Sequence, residues 1–110
     1  MSTRRSEKLS ELYKRATTSF LQENIKLEDA IFSVTGVELS DKLNRLKIYF
    51  SVWPDQKELD VIKSLEGLKG LLRKDLGDNI KTKFVPEISF VLDDSEKKRL
   101  RIEELLKKEE

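Results

Sequence analysis

Gly67-Leu68-Lys69-Gly70 interrupts a leucine-patterned stretch, and Lys63, Lys69, Arg73, Lys74, Lys81 and Lys83 surround it. Glycine carries no Cβ, so a GxxG turn between two helices lets a nucleic-acid phosphate come close to the backbone. Cations beside such a turn bind phosphate whatever the base sequence, and their binding depends strongly on salt. Two blander readings fit the same residues: one glycine relieves a crowded helix crossing, and the lysines form a solvated helix face. A second group of cations, Arg4, Arg5, Lys8, Lys14 and Arg15, lies near the start of the chain. Tyr49 and Trp53 fall on the polar side of an alternating segment, placed either to stack on bases or to be covered by a helix or a terminus.

Much other chemistry is excluded by composition. With no cysteine there is no disulfide, thiol nucleophile, thiolate zinc site or iron-sulfur cluster, and with no histidine the commonest general base and zinc ligand is missing. No phosphate-binding G-x-x-x-x-G-K-[ST] and no metal-cage spacing occurs. The acidic pairs Asp93-Asp94 and Glu103-Glu104 read as helix capping and a solvated helix face. An enzyme, a cofactor and a metal are therefore not expected. The longest apolar runs are three residues, as at Ile48 to Phe50, far short of the roughly 20 of a membrane span. A cytoplasmic protein with no membrane partner is the expectation.

The elements that must position these residues can be read from periodicity. The 110 residues suit one domain, and although 39% are charged, Leu, Ile, Val and Phe supply enough apolar mass for a core. Leu9, Leu12, Tyr13, Ala16 and Phe20 predict an amphipathic helix over 6–22. Phe32 and Val34 alternate with polar residues in a first strand ending near Leu39, and Ser40 to Asn44 supply a turn. A second strand through Leu46, Ile48, Phe50 and Val52 follows, antiparallel to the first. Pro54 ends it, and Asp55 with Glu58 has the spacing of a capping box. The next helical face, Ile62, Leu65, Leu68, Leu72 and Leu76, is expected to break into two helices at Gly67 and Gly70, each of which costs about 1 kcal/mol in a helix interior. Gly77, Asp78 and Asn79 close the second of these helices, and Pro86 leads into a third strand through Ile88, Phe90 and Leu92. Leu100, Ile102, Leu105 and Leu106 predict a last helix, with 1–5 and 107–110 as frayed ends of a core spanning about 6–106.

The order is α-β-β-α-(break)-α-β-α, which implies a two-layer α+β domain with a three-stranded sheet, helices on one face and the other face largely exposed. The crossover from the second strand to the third permits parallel pairing. Residues 1–26 and 63–83 are net basic and 27–62 and 84–110 net acidic, within an overall charge of +1. Folding can bring the two basic blocks onto one face.

Several long segments together resemble the ribosome-binding factor A family. They are residues 32–40 continuing to Leu46-Lys47-Ile48-Tyr49-Phe50-Ser51-Val52, then Gly70-Leu71-Leu72-Arg73, Val85-Pro86-Glu87-Ile88-Ser89-Phe90, Asp93-Asp94-Ser95, and residues 101–106. The resemblance implies a type II KH fold in which the usual GxxG is replaced by an Ala-x-Gly helix kink. That kink falls at Leu68-Lys69-Gly70, where Leu68 departs from the family's alanine while Gly67 restores a GxxG spacing, so a kink and an open loop both remain in view. A second departure is Lys26-Leu27-Glu28-Asp29, where the family carries an Asp-Pro-Arg-like turn. The family binds the free 30S subunit, supports 16S rRNA maturation near its 5′ end and matters in cold adaptation, with no catalytic activity and with a GTPase assembly factor associated with its release. The coincidence of both basic blocks with this fold order leads to the expectation that rRNA is bound through Arg4, Arg5, Lys8, Lys14, Arg15, Lys69, Arg73, Lys74, Lys81 and Lys83, with Gly70 admitting close approach, and a monomer is the simplest expectation. A general single-stranded RNA-binding KH protein and an adaptor using the last helix are the competing expectations.

Overall fold

The computed structural model describes residues 4–94 and Leu106, apart from the Arg4 side chain. The predicted last helix and both chain ends, 1–3 and 107–110, lie outside the described residues, save for Leu106, which is helical and exposed. Helix α1 runs Arg4–Asn24, strand β1 Ile31–Leu39, β2 Arg45–Trp53, helix α2 Glu58–Asn79 and strand β3 Glu87–Leu92, with a 3-10 turn at Asp55–Lys57 before α2.

The strands follow from the alternation. In β2, Leu46, Ile48, Phe50 and Val52 are buried while the residues between them are not, so one face of the central strand builds the core. Strand β1 pairs antiparallel with β2 and β3 pairs parallel with it, giving the order β1-β2-β3. A β-bulge decides how β1 serves the same face. The register steps from Val34 opposite Phe50 to Gly36 opposite Tyr49, leaving Thr35 as the extra residue. Phe32 and Val34 before the bulge, and Val37 and Leu39 after it, therefore all pack against the core, although their numbers change from even to odd. The turn between β1 and β2 is closed by Ser40, whose N–H donates to Arg45 O at 2.9 Å and whose hydroxyl accepts from the Arg45 N–H at 3.0 Å. The Glu87 N–H then donates to Asn44 O at 3.0 Å, which docks the start of β3 just after the buried Pro86.

Both helices cover that one face. Tyr13 and Leu21 of α1 and Val61, Leu65, Leu72 and Leu76 of α2 form one cluster with the inward residues of β2 and with Ile88. Each such side chain contributes about 1.5–3 kcal/mol on burial. Two members of the expected stripes lie elsewhere: Leu12 is 48% exposed, and Val61 rather than Ile62 begins the buried face of α2. Lys57, not Asp55, holds the N-cap position of α2 and makes no side-chain cap bond. The expected division into two helices is also corrected. Helix α2 is continuous from Glu58 to Asn79, and no glycine has a positive φ. Leu65 before the glycines, Leu68 between them, and Leu72 and Leu76 after them pack on the same core in one unbroken register. Burying these leucines outweighs the roughly 2 kcal/mol that two interior glycines cost. No helix among the described residues is long and apolar enough to cross a membrane.

Thr17, fully buried in α1, has a hydroxyl with no hydrogen-bond partner among the described residues. Removing a desolvated, unpaired hydroxyl while keeping the β-branched shape relieves its burial cost. Thr17→Val should therefore raise the unfolding free energy by about 1 kcal/mol, seen as a higher urea midpoint at unchanged m-value. An unchanged or lower midpoint would show that the hydroxyl is satisfied.

Candidate nucleic-acid interface

The unbroken register of α2 dictates what its outer side presents. With Leu65, Leu68, Leu72 and Leu76 turned toward the sheet, Lys63, Gly67, Gly70 and Lys74 recur at spacings of three and four on the opposite side, and all four are exposed. A Cβ added to Gly67 or Gly70 would meet nothing within 4 Å, so neither glycine relieves a helix crossing. Gly77 differs, because its added Cβ would lie 3.0 Å from Val85 Cγ2, and its lack of a side chain lets the following loop sit against the helix. Gly67 and Gly70 leave a bare strip of backbone between two lysines separated by about 16 Å of helix.

The loop after α2 is braced from three sides. Ile80 is buried and its N–H donates to Leu76 O at 2.8 Å. The hydroxyls of Tyr13 and Thr82 share a hydrogen bond at 3.2 Å, tying the loop to α1, and Arg73 Nη2 donates to Val85 O at 3.2 Å. This bracing brings part of the two basic blocks together. Lys81 joins Arg5 and Lys8 around a shallow groove floored by Leu9 and Leu12. Lys14 and Arg15 lie farther along α1, exposed, beside Glu11 and Gln22. Lys69 is drawn away from the outer strip: its Nζ pairs with Glu66 at 3.0 Å and lies 5.8 Å from the Phe90 ring centroid. Arg73 and Lys74 are exposed, and Lys83 is exposed beside Phe84. Phe84 escapes a reading based on apolar periodicity because it belongs to no strand or helix, although an aromatic directly after two closely spaced lysines in a loop is itself a signal.

The far face of the sheet has a different character. Tyr49 Oη donates to Glu38 Oε2 at 2.9 Å, and Thr35 Oγ1 donates to Asp93 Oδ2 at 2.8 Å. The hydrogen bond to Glu38 raises the Tyr49 phenol above its ordinary pKa, with lost solvent and the charges of Glu38 and Asp93 adding to the effect. Glu38 stands opposite Lys47 and Arg45 opposite Glu87, so charges of both signs alternate there. Carboxylates beside Tyr49 disfavour an approaching phosphate, whereas Trp53, 67% exposed, lies at the far end of the face opposite Ile31.

The fold and this charge distribution define a class: a small two-layer α+β domain with a cationic helical side and a mixed-charge sheet side. The family model for ribosome-binding factor A matches residues 5–106. The chain belongs to the ribosome-binding factor A family. A ribosome-binding factor A from Halothermothrix orenii is 38% identical over 110 residues, covering 98% of this chain and 90% of its own. Among solved structures, the crystal structure of ribosome-binding factor A from Thermus thermophilus matches with a TM-score of 0.66 at 22% identity, covering 78% of this chain and 92% of that one. A Thermus thermophilus RbfA homology model, fitted into the cryo-EM map of a 30S-RbfA complex, matches with a TM-score of 0.68 at 18% identity over 79% of this chain and 93% of that one.

Two outcomes follow from this geometry. Gly67→Ala and Gly70→Ala should each stabilise the isolated protein by about 1 kcal/mol in urea unfolding, since a methyl group meets only solvent there. A loss of stability would mean that the outer side of α2 is packed. For Tyr49, a phenol whose pKa is raised in the folded state adds stability below its unfolded value near 10, and this is lost as pH rises through the higher folded value. Absorbance titration, taken as the difference from Tyr49→Phe, should place the midpoint above about 10, and Glu38→Gln should lower it.

Proposed function

We propose that this protein is a non-catalytic assembly factor of the small ribosomal subunit, acting in the cytoplasm as a monomer that binds the free 30S subunit through 16S rRNA. Family membership supports this reading, as does the relative described in a 30S complex. The observation that carries it is the outer side of α2, where exposed Lys63 and Lys74 bracket Gly67 and Gly70, Asp60 and Asp78 lie one turn beyond the two lysines, and the glycines pack against nothing among the described residues. A partner's backbone can approach that bare strip closely, and phosphate is the partner group that the lysines suit. The Arg5, Lys8 and Lys81 groove extends the contact, and Lys14, Arg15, Arg73 and Lys83 add exposed charge around it. Arg4 belongs to the same basic block. Lys69, held by Glu66, contributes less.

In this reading the domain is a type II KH-like fold in which a continuous glycine-bearing helix stands where an open GxxG loop would otherwise be. The factor would act in 16S rRNA maturation near the 5′ end and in cold adaptation, with a GTPase assembly factor associated with its release.

Co-sedimentation with separated small subunits, large subunits and assembled ribosomes across a salt series tests the proposal. Selective binding to free small subunits is expected, weakening steeply with salt. Lys63→Glu with Lys74→Glu should lower the affinity and reduce the log–log salt slope by about one for each phosphate no longer engaged. Gly70→Ala should weaken binding while stabilising the free protein. Unchanged affinity and slope in the lysine variants would remove α2 from the interface. Equal affinity for unstructured RNA would instead favour a general single-stranded RNA-binding protein.

A further inference from the structure

Phe84 is 71% exposed, whereas the other phenylalanines, Phe20, Phe32, Phe50 and Phe90, are buried or half-buried. A single exposed apolar residue is ordinary by itself, but the setting of this one is not that of a loose loop tip. Thr82 Oγ1 donates to Phe84 O at 2.8 Å, the Thr82 hydroxyl also meets Tyr13 of α1, and Arg73 holds the next carbonyl, that of Val85. Buried Ile80 and Pro86 fix the two ends. The backbone that carries Phe84 is thus anchored to both helices and to the start of β3 while its ring is left in solvent.

The loop that carries the ring is cationic. Lys83 Nζ lies 5.6 Å from the ring centroid, Arg73 and Lys81 are exposed on the same loop and helix end, and residues 80–86 contain no carboxylate. A flat apolar surface held rigidly among cations suits a partner that combines negative charge with flat apolar groups. Single-stranded nucleic acid has that combination, because an unpaired base offers a π-face and the adjoining backbone offers phosphate. A paired base, already stacked within a helix, cannot use the ring.

We propose that Phe84 is a stacking platform for one unpaired base, with Lys81 and Lys83 holding the flanking phosphates. This rests on the rRNA-binding reading above and deepens it: the segment recognised at the loop after α2 is single-stranded. Stacking on an aromatic residue accounts for about a 5- to 100-fold share of affinity per base and adds little to the salt dependence.

The test compares Phe84→Ala, Phe84→Leu and Phe84→Trp, each checked for an unchanged urea midpoint. Binding is measured to free small subunits and to a short unstructured RNA oligomer across a salt series. Phe84→Ala and Phe84→Leu should lose about 5- to 100-fold in affinity at unchanged salt slope, and Phe84→Trp should retain it. Lys81→Glu should instead flatten the slope. In a Trp53→Phe background, the fluorescence of Phe84→Trp should be quenched by the oligomer. If Phe84→Ala binds like the wild type while Lys74→Glu does not, the platform is refuted and the rRNA-binding reading stands. If Phe84→Leu binds small subunits as well as the wild type does, the ring contacts an apolar protein surface and the base-stacking role is overturned. If the wild type binds neither particle nor oligomer, both readings fail.

Discussion

The packing of one face of α2 onto β2 is the interaction on which the other features depend. Leu65, Leu72 and Leu76 are fully or almost fully buried against a strand whose own inward residues, Leu46, Ile48, Phe50 and Val52, are buried as well. Because these leucines keep a single helical register, the residues opposite them are determined too, and Lys63, Gly67, Gly70 and Lys74 must face solvent. The same register sets where α2 ends. It delivers the chain to Ile80 beside Leu76, from which the braced loop returns to β3.

That loop joins fold to function. Tyr13 reaches it from α1 and Arg73 from α2, so the bonds that hold it in place also bring Lys81 up to Arg5 and Lys8. Arg73 spends one donor on the Val85 carbonyl and is in part a structural residue, whereas Lys74, one position on, faces outward. The sheet side is organised differently. Its cross-strand pairs set Glu38 against Lys47 and Arg45 against Glu87, and its tyrosine donates to a carboxylate. The helical side thus gathers positive charge where the loop meets α1, at Arg5, Lys8 and Lys81, whereas charges of opposite sign alternate on the sheet face.

Local pattern and tertiary context divide the reading of this chain residue by residue. The strands were legible because alternation such as Leu46-Lys47-Ile48-Tyr49-Phe50 survives folding unchanged, with one face buried and one open. The switch from Val34 to Val37 on the same face was not, since the bulge at Thr35 exists only in the pairing with β2. Leu12 and Ile62 fit a helical stripe by spacing, but a stripe spans more residues than a neighbouring layer covers, and these two lie at its margins. The misreading of Gly67 and Gly70 has a similar cause. Helix propensity is a local quantity of about 1 kcal/mol per glycine, and it was overruled by leucine burial on both sides of the pair.

Sequence alone carried the layer count, the antiparallel pairing of the first two strands, the absence of cysteine and histidine from the chain, and two basic blocks separated by acidic ones. All of these are properties of residue type and short-range periodicity, which need no knowledge of neighbours distant in the chain. Three-dimensional packing decided which cations meet, that Lys69 turns toward Glu66 and Phe90, that the two glycines face open solvent, and that Phe84 is held out while the other phenylalanines turn inward. These outcomes depend on contacts between residues far apart in sequence, such as Tyr13 with Thr82. The free energy of such contacts is gained only once the sheet and both helices have closed on one core.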